Sequence, residues 1–178
     1  MSKPFLLALV PVLCVVAGVG YSQSLGPNLG RVASPDEISR ADLTVAPDDT
    51  NLPPGSGSVA QGDAVYLQNC LACHGERGLG GPMGSLTGGL GTIGSEAPVK
   101  TVASYWPYAE SVFDYVRRAM PLNAPQSLTN DQVYAVIAYI LSIDGIVAED
   151  AVLNAETLPR VEMPNRDGFV SCGSDRTC

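Results

Sequence analysis

"NCLACHGERGLGGP", residues 69–82, sets two cysteines, separated by two residues, directly against the only histidine of a 178-residue chain. Upstream of it, Ser58 and Gln61 in "SVAQ" form a capping box that opens a helix through Gln68. Gly62, Tyr66 and Cys70 recur every fourth residue, so they share one face of that helix. Downstream, "GERGLGGPMGSLTGGLGTIGSE" holds too many glycines for regular structure. A loop of that length inside a compact domain wraps something or is functional.

Working outward, a second helix is expected from Tyr108 to Arg118, with Ala109, Val112, Phe113 and Val116 on one face. It stops near Ala119, because the residue before Pro121 is forced out of helical geometry. A third opens on the capping box Thr129 and Gln132, carries the apolar stripe Val133, Val136, Ile137, Ile140 and Leu141, and ends at Asp144 and Gly145. These helices define a domain over residues 56–145, between an irregular arm at 21–55 and a tail at 146–178 with a helical turn near 149–156. No internal repeat is visible. Three short helices among so many glycines bury little apolar surface, and a domain this small needs a staple or a cofactor.

Charge narrows the function classes. Ten Lys and Arg against 18 Asp and Glu give a net charge of −8, with few aromatics and no basic stripe, which excludes a nucleic-acid partner. Acidity of this kind keeps a chain soluble, or steers a cationic protein partner. Residues 1–20 have one cation, Lys3, before an apolar run, the layout of a secretory signal peptide or, if uncleaved, of an anchor. Either way everything after Tyr21 is exported, to the periplasm. In that oxidising compartment Cys172 and Cys178 can close a small disulfide loop, the alternative being two exposed thiols.

C-x-x-C-H is the attachment signature of c-type haem: two thiols add across the porphyrin vinyl groups, and the adjacent histidine becomes the proximal iron ligand. The same porphyrin supplies the apolar core that the helices lack. Zinc would need a fourth ligand, and the other thiols of the exported chain lie about a hundred residues away. A thioredoxin-like dithiol follows a strand, whereas Cys70 follows a helix.

With these residues the sequence resembles the class I cytochrome c family over residues 58–143: Gly62 and Tyr66, "CLACH", Pro82, a methionine before the last helix, and "AYIL" within it. The resemblance implies an all-α fold, a small domain around one covalently bound haem c with irregular N- and C-terminal arms. It implies that the first and last helices cross where Gly62 meets Tyr66 and Tyr139, and that the Pro82 carbonyl accepts the imidazole N–H of His74. The distal ligand is then Met120, in a loop able to pass across the far side of the porphyrin; Met83 is too near His74 in the chain, and nothing fixes Met163 in the tail. Trp106, in "SYWPY", stands where the family hydrogen-bonds a haem propionate, and simple packing is its alternative role. Arg117 and Arg118 either offset propionate charge, dock a partner, or serve as cations at a helix C-terminus.

Ligation by His and Met leaves no open iron position, which points to one-electron transfer rather than catalysis at the metal. More narrowly, "ASPDEI", "LPPGSGS", "YWPYAESVFDYVRRAMPLNAPQSLT" and "LPRVEMPNRDGF" resemble the cytochrome c subunits of periplasmic sulfur and sulfite dehydrogenases. That resemblance implies a molybdopterin-containing partner subunit as electron donor and a downstream acceptor, another cytochrome or an oxidase. A free-standing electron shuttle and a haem enzyme with a labile distal ligand are the alternatives.

Overall fold

The computed structural model describes residues 29–47 and 51–172, so the expected signal or anchor segment 1–20 lies outside the described residues. The chain divides into a unit ending at Ser34 and a unit from Pro35 onward. Of the first, residues 29–34 form no helix or strand.

In chain order the second unit contains α1 (Pro35–Ala41), β1 (Ser56–Ser58), α2 (Val59–Asn69), α3 (Leu71–His74), a 3-10 turn at Glu76–Gly78, α4 (Val102–Tyr105), α5 (Ala109–Ala119), α6 (Asn130–Ile143), β2 (Val152–Asn154) and a second 3-10 turn at Leu158–Arg160. It is a helical domain of the expected class, with one small antiparallel ribbon in which Gly57 of β1 pairs with Leu153 of β2.

The capping boxes at Ser58 and Thr129 start α2 and α6 as their sequences require. A third, at Thr101 with Ser104 in place of the usual Glu or Gln, starts α4. Helix α6 is the centre of the core: Val133, Tyr134, Ala135, Val136, Ile137, Ala138, Ile140 and Leu141 are all buried. Each large aliphatic side chain buried there contributes about 1.5–3 kcal/mol relative to exposure. Helix α5 adds Ala109, Val112 and Phe113, the face its periodicity gave, and also Glu110, which the periodicity did not give.

Helix α2 crosses α6 at glycine. A Cβ at Gly62 would fall on the Ala135 carbonyl and within 2.7 Å of the Tyr139 Cβ. Gly57 meets the backbone of the same residue, Ala135. Beside the crossing, the Tyr66 and Tyr139 rings lie 5.2 Å apart, so glycine and aromatics meet as the resemblance implied.

Both arms differ from the expectation of irregular chain. Residues 35–41 form α1, with proline in its first turn, Asp36 and Glu37 following and Arg40 in the last turn. None of its residues is buried, so no apolar period announces it. Past residue 145, the expected helical turn near 149–156 is instead the strand β2, and Leu153, Leu158, Val161 and Met163 enter the core. The strand forms because Ser56–Ser58 leads directly into α2 and offers its edge to the returning chain. Cys172 is disulfide-bonded, and its expected partner Cys178 lies outside the described residues.

Candidate haem site

Cys70 ends α2 and begins α3: its N–H donates to the Tyr66 carbonyl at 2.9 Å, and its own carbonyl accepts from the His74 N–H at 2.9 Å. The motif is therefore one short helical turn. Residues three and four apart in a helix share a face, which is why two intervening residues bring Cys70 and Cys73 to one side with His74 next to them. Neither Cys70, half-buried, nor Cys73, exposed, is in a disulfide. Burial, with the neighbouring Cys73 adding to it, pushes the Cys70 thiol up to about 11. An environment that penalises a thiolate suits an uncharged thioether.

The glycine loop folds back under this turn. The Met83 N–H donates to the Cys73 carbonyl at 3.0 Å, and a Cβ at Gly81 would meet the backbone of Cys73 and His74. The loop thus delivers a carbonyl to the imidazole, but it is that of Gly84, 3.4 Å from His74 Nδ1, two residues beyond the expected Pro82. Pro82 itself is exposed. The Met83 bond and the Gly81 approach hold the loop against the motif, and this brings the Gly84 carbonyl beside the ring. With Nδ1 so occupied, His74 Nε2 has no hydrogen bond among the described residues. Tyr66 braces the turn by donating to the Gly75 carbonyl at 2.8 Å, and Thr87, 1 % exposed, donates to the Arg77 carbonyl at 2.7 Å.

The other methionines separate clearly. Met83 is exposed and tied to the motif's own backbone. Met163 is buried in the hydrophobic core with Leu158 and Val161. Met120 is half-buried at the C-terminal end of α5, its N–H held by the Val116 carbonyl at 3.1 Å. Trp106 follows α4, half-buried, its ring 5.7 Å from that of Tyr115. No hydrogen bond to its indole N–H is present among the described residues.

Arg117 and Arg118 do different work. Arg117 Nη1 donates to the Leu43 carbonyl of the N-terminal arm at 3.1 Å. Arg118 is an exposed partner of Asp114, with Nε 2.9 Å from Oδ1 and Nη2 against Oδ2. At the other end of α5, the tail clasps "YWPY": Asn165 Nδ2 donates to the Tyr105 carbonyl at 2.7 Å, Arg166 lies 4.6 Å over the Tyr108 ring, and Phe169 packs edge-on to Tyr105. Sequence reasoning missed Gly84, Asp114 and Asn165. Only the tail motif "EMPNRDGF" carried a readable signal.

Two neighbouring thiols followed by one imidazole are the donor types that covalent haem c takes on its proximal side. Among the described residues no three His, Cys, Asp or Glu side chains are placed to hold a bare metal ion.

The cytochrome c family model matches residues 59–144. The chain belongs to the cytochrome c family, as a class I c-type cytochrome: it carries covalently bound haem c, and the activity of such a domain is electron transfer. Its likeness extends beyond that domain. The sulfane dehydrogenase SoxCD from Paracoccus pantotrophus contains a chain 45% identical to this one, superposing with a TM-score of 0.77 and covering 84% of this chain and 74% of that one. No curated protein sequence matches.

Proposed function

We propose that this chain is the haem subunit of a periplasmic sulfane dehydrogenase, receiving single electrons from a molybdopterin-containing partner subunit and passing them to another cytochrome or an oxidase. The observation that carries the reading is the reach of the likeness: 45% identity over 84% of the chain runs past the family segment 59–144 into the arms. Those arms are packed parts of the fold here, with Val45, Leu153, Leu158 and Met163 in its core.

In this reading Cys70 and Cys73 form the thioethers, His74 ligates through Nε2 and Met120 through its sulfur. Bound haem c supplies a one-electron iron couple. The chain's residues do the rest. Gly84 holds the imidazole by its carbonyl, while Trp106 would offer its indole N–H to a haem propionate and Met120, just past α5, would supply the thioether donor. A haem held by both donors would leave no position for substrate, so the protein would move electrons and leave sulfur chemistry to its partner.

The test is isolation of the tagged, full-length protein from its native periplasm. The expected result is a molybdenum-containing subunit in stoichiometric company, and a haem absorption that turns to the reduced form when a sulfane-sulfur substrate is added. A lone monomer, unreduced by sulfur substrates even when the periplasmic extract is restored, overturns the subunit reading in favour of the shuttle.

A further inference from the structure

We propose that Asp114 and Arg117 are positioning residues for the distal methionine, and that they act by clamping the N-terminal arm onto α5. The inference rests on Met120 as the distal ligand.

Met120 is offered from the very end of α5, and regular structure does not resume until Asn130. The intervening loop is mostly exposed; among the described residues its backbone bonds are short-range, Ala124 N–H to the Pro121 carbonyl at 2.9 Å and Ser127 N–H to the Ala124 carbonyl at 3.3 Å, and its packing against the core comes at Leu128, at the far end from Met120. Where the sulfur sits is therefore set by the last turns of α5. Those turns carry two bonds to a distant piece of chain. Asp114 Oδ1 accepts from the Val45 N–H at 2.9 Å, and Arg117 Nη1 donates to the Leu43 carbonyl at 3.1 Å.

One donor and one acceptor of the arm, two residues apart, are thus held by an acceptor and a donor one helical turn apart on α5. The Val45 side chain completes the clamp: it is 4 % exposed, in the same core as Val112 and Phe113 of α5. Arg118 steadies the clamp from outside by holding the Asp114 carboxylate, while itself half exposed. A solvated i,i+4 pair of that kind contributes little of its own.

A thioether is a weak ligand that external donors displace when the protein lets it go. The apparent affinity of an external donor rises in proportion to the fraction of molecules in which the sulfur is off the iron. Loosening α5 at its C-terminal end should raise that fraction, even in a protein that stays folded.

The experiment uses full-length holoprotein and three readouts: the sulfur-to-iron absorption of the oxidised form, the apparent affinity of the oxidised iron for imidazole, and thermal unfolding by circular dichroism. Asp114→Ala and Arg117→Ala are each expected to weaken the absorption and tighten imidazole binding by about tenfold. Asp114→Asn, which keeps the acceptor for Val45 but not the charge, is expected to bind imidazole like the parent, and so is Arg118→Ala. If Asp114→Ala does not fold, Arg117→Ala carries the test with the carboxylate in place. Folded alanine variants with parental absorption and imidazole affinity overturn the proposal, as does an Arg118→Ala protein that behaves like Asp114→Ala. Met120→Ala separates the two layers: loss of the absorption upholds the ligand, whereas an unchanged absorption removes Met120 from the iron and this inference with it.

Discussion

The proximal turn and the two arms are held by opposite strategies. Around His74 the bonds are local: Tyr66 reaches Gly75 across 9 positions, and His74 and Thr87 reach Gly84 and Arg77 across 10. The arms are held from afar: Val45 by Asp114 across 69 positions, Leu43 by Arg117 across 74, Pro53 by Tyr134 across 81 and Asn165 by Tyr105 across 60. A turn made of near neighbours can take shape as soon as its helix forms, because little loop-closure entropy opposes it. The arms can dock only on α5 and α6 already in place. The thiols and the imidazole are thus arranged almost independently of the rest, whereas the distal side depends on the finished fold.

The place to break this division is the α2–α6 crossing, which both strategies share. Gly62→Ala would drive a methyl into the Ala135 carbonyl, where no rotamer change gives relief. The helices would have to separate along the crossing, at a cost at the upper end of overpacking, at least about 3 kcal/mol. The expected outcome is loss of folded holoprotein, read as collapse of the haem yield per polypeptide and of the unfolding midpoint. A near-parental midpoint would mean that the crossing is not the keystone its geometry suggests.

Legibility in the sequence follows the same division. The cysteine–histidine motif and the three long helices could be read because each has a local signature: a fixed spacing, a capping box, or a period; the Gly62–Tyr66–Tyr139 crossing came only with the family resemblance. Gly84 could not, since it acts through a backbone carbonyl, and any residue type carries one. Helix α1 hides because it buries nothing. The core residues Leu153, Leu158, Val161 and Met163 follow no single period, because the chain there passes from strand to 3-10 turn to irregular backbone. Their burial, read only from the fold, is also what explains a methionine in the tail without iron.

Leu153→Ala sharpens the point. Leu153 is 3 % exposed, on the strand that pairs with Gly57. If the tail is as much core as α6, truncation leaves a cavity and costs about 2–3 kcal/mol in chemical denaturation. A decorative tail would register less than about 0.5 kcal/mol. The sulfur-to-iron absorption of the folded variant should stay parental, since β2 packs mainly on β1 and α6, away from the end of α5 that carries Met120.

The mildest perturbation reaches the arm through a proton. The Tyr134 hydroxyl donates to the Pro53 carbonyl at 2.9 Å, and burial pushes its ionisation from 10.0 up to about 12, with Arg117 opposing in part. A group that holds its proton more tightly when folded stabilises the fold fully below its unfolded value and loses that contribution as pH rises through the folded one. Stability should therefore fall between about pH 10 and 12. Tyr134→Phe removes this share of the fall. It should cost about 1 kcal/mol near neutrality, for the lost bond to Pro53, and then decline less steeply than the parent above pH 10. Some decline must survive, because burial also raises Tyr66 and Tyr139 at the α2–α6 crossing. Denaturation curves at several alkaline pH values distinguish the two: parallel decline of parent and variant would show that the arm's hold on α6 does not pass through this hydroxyl, and that the other buried tyrosines, Tyr66 and Tyr139, sense the base instead.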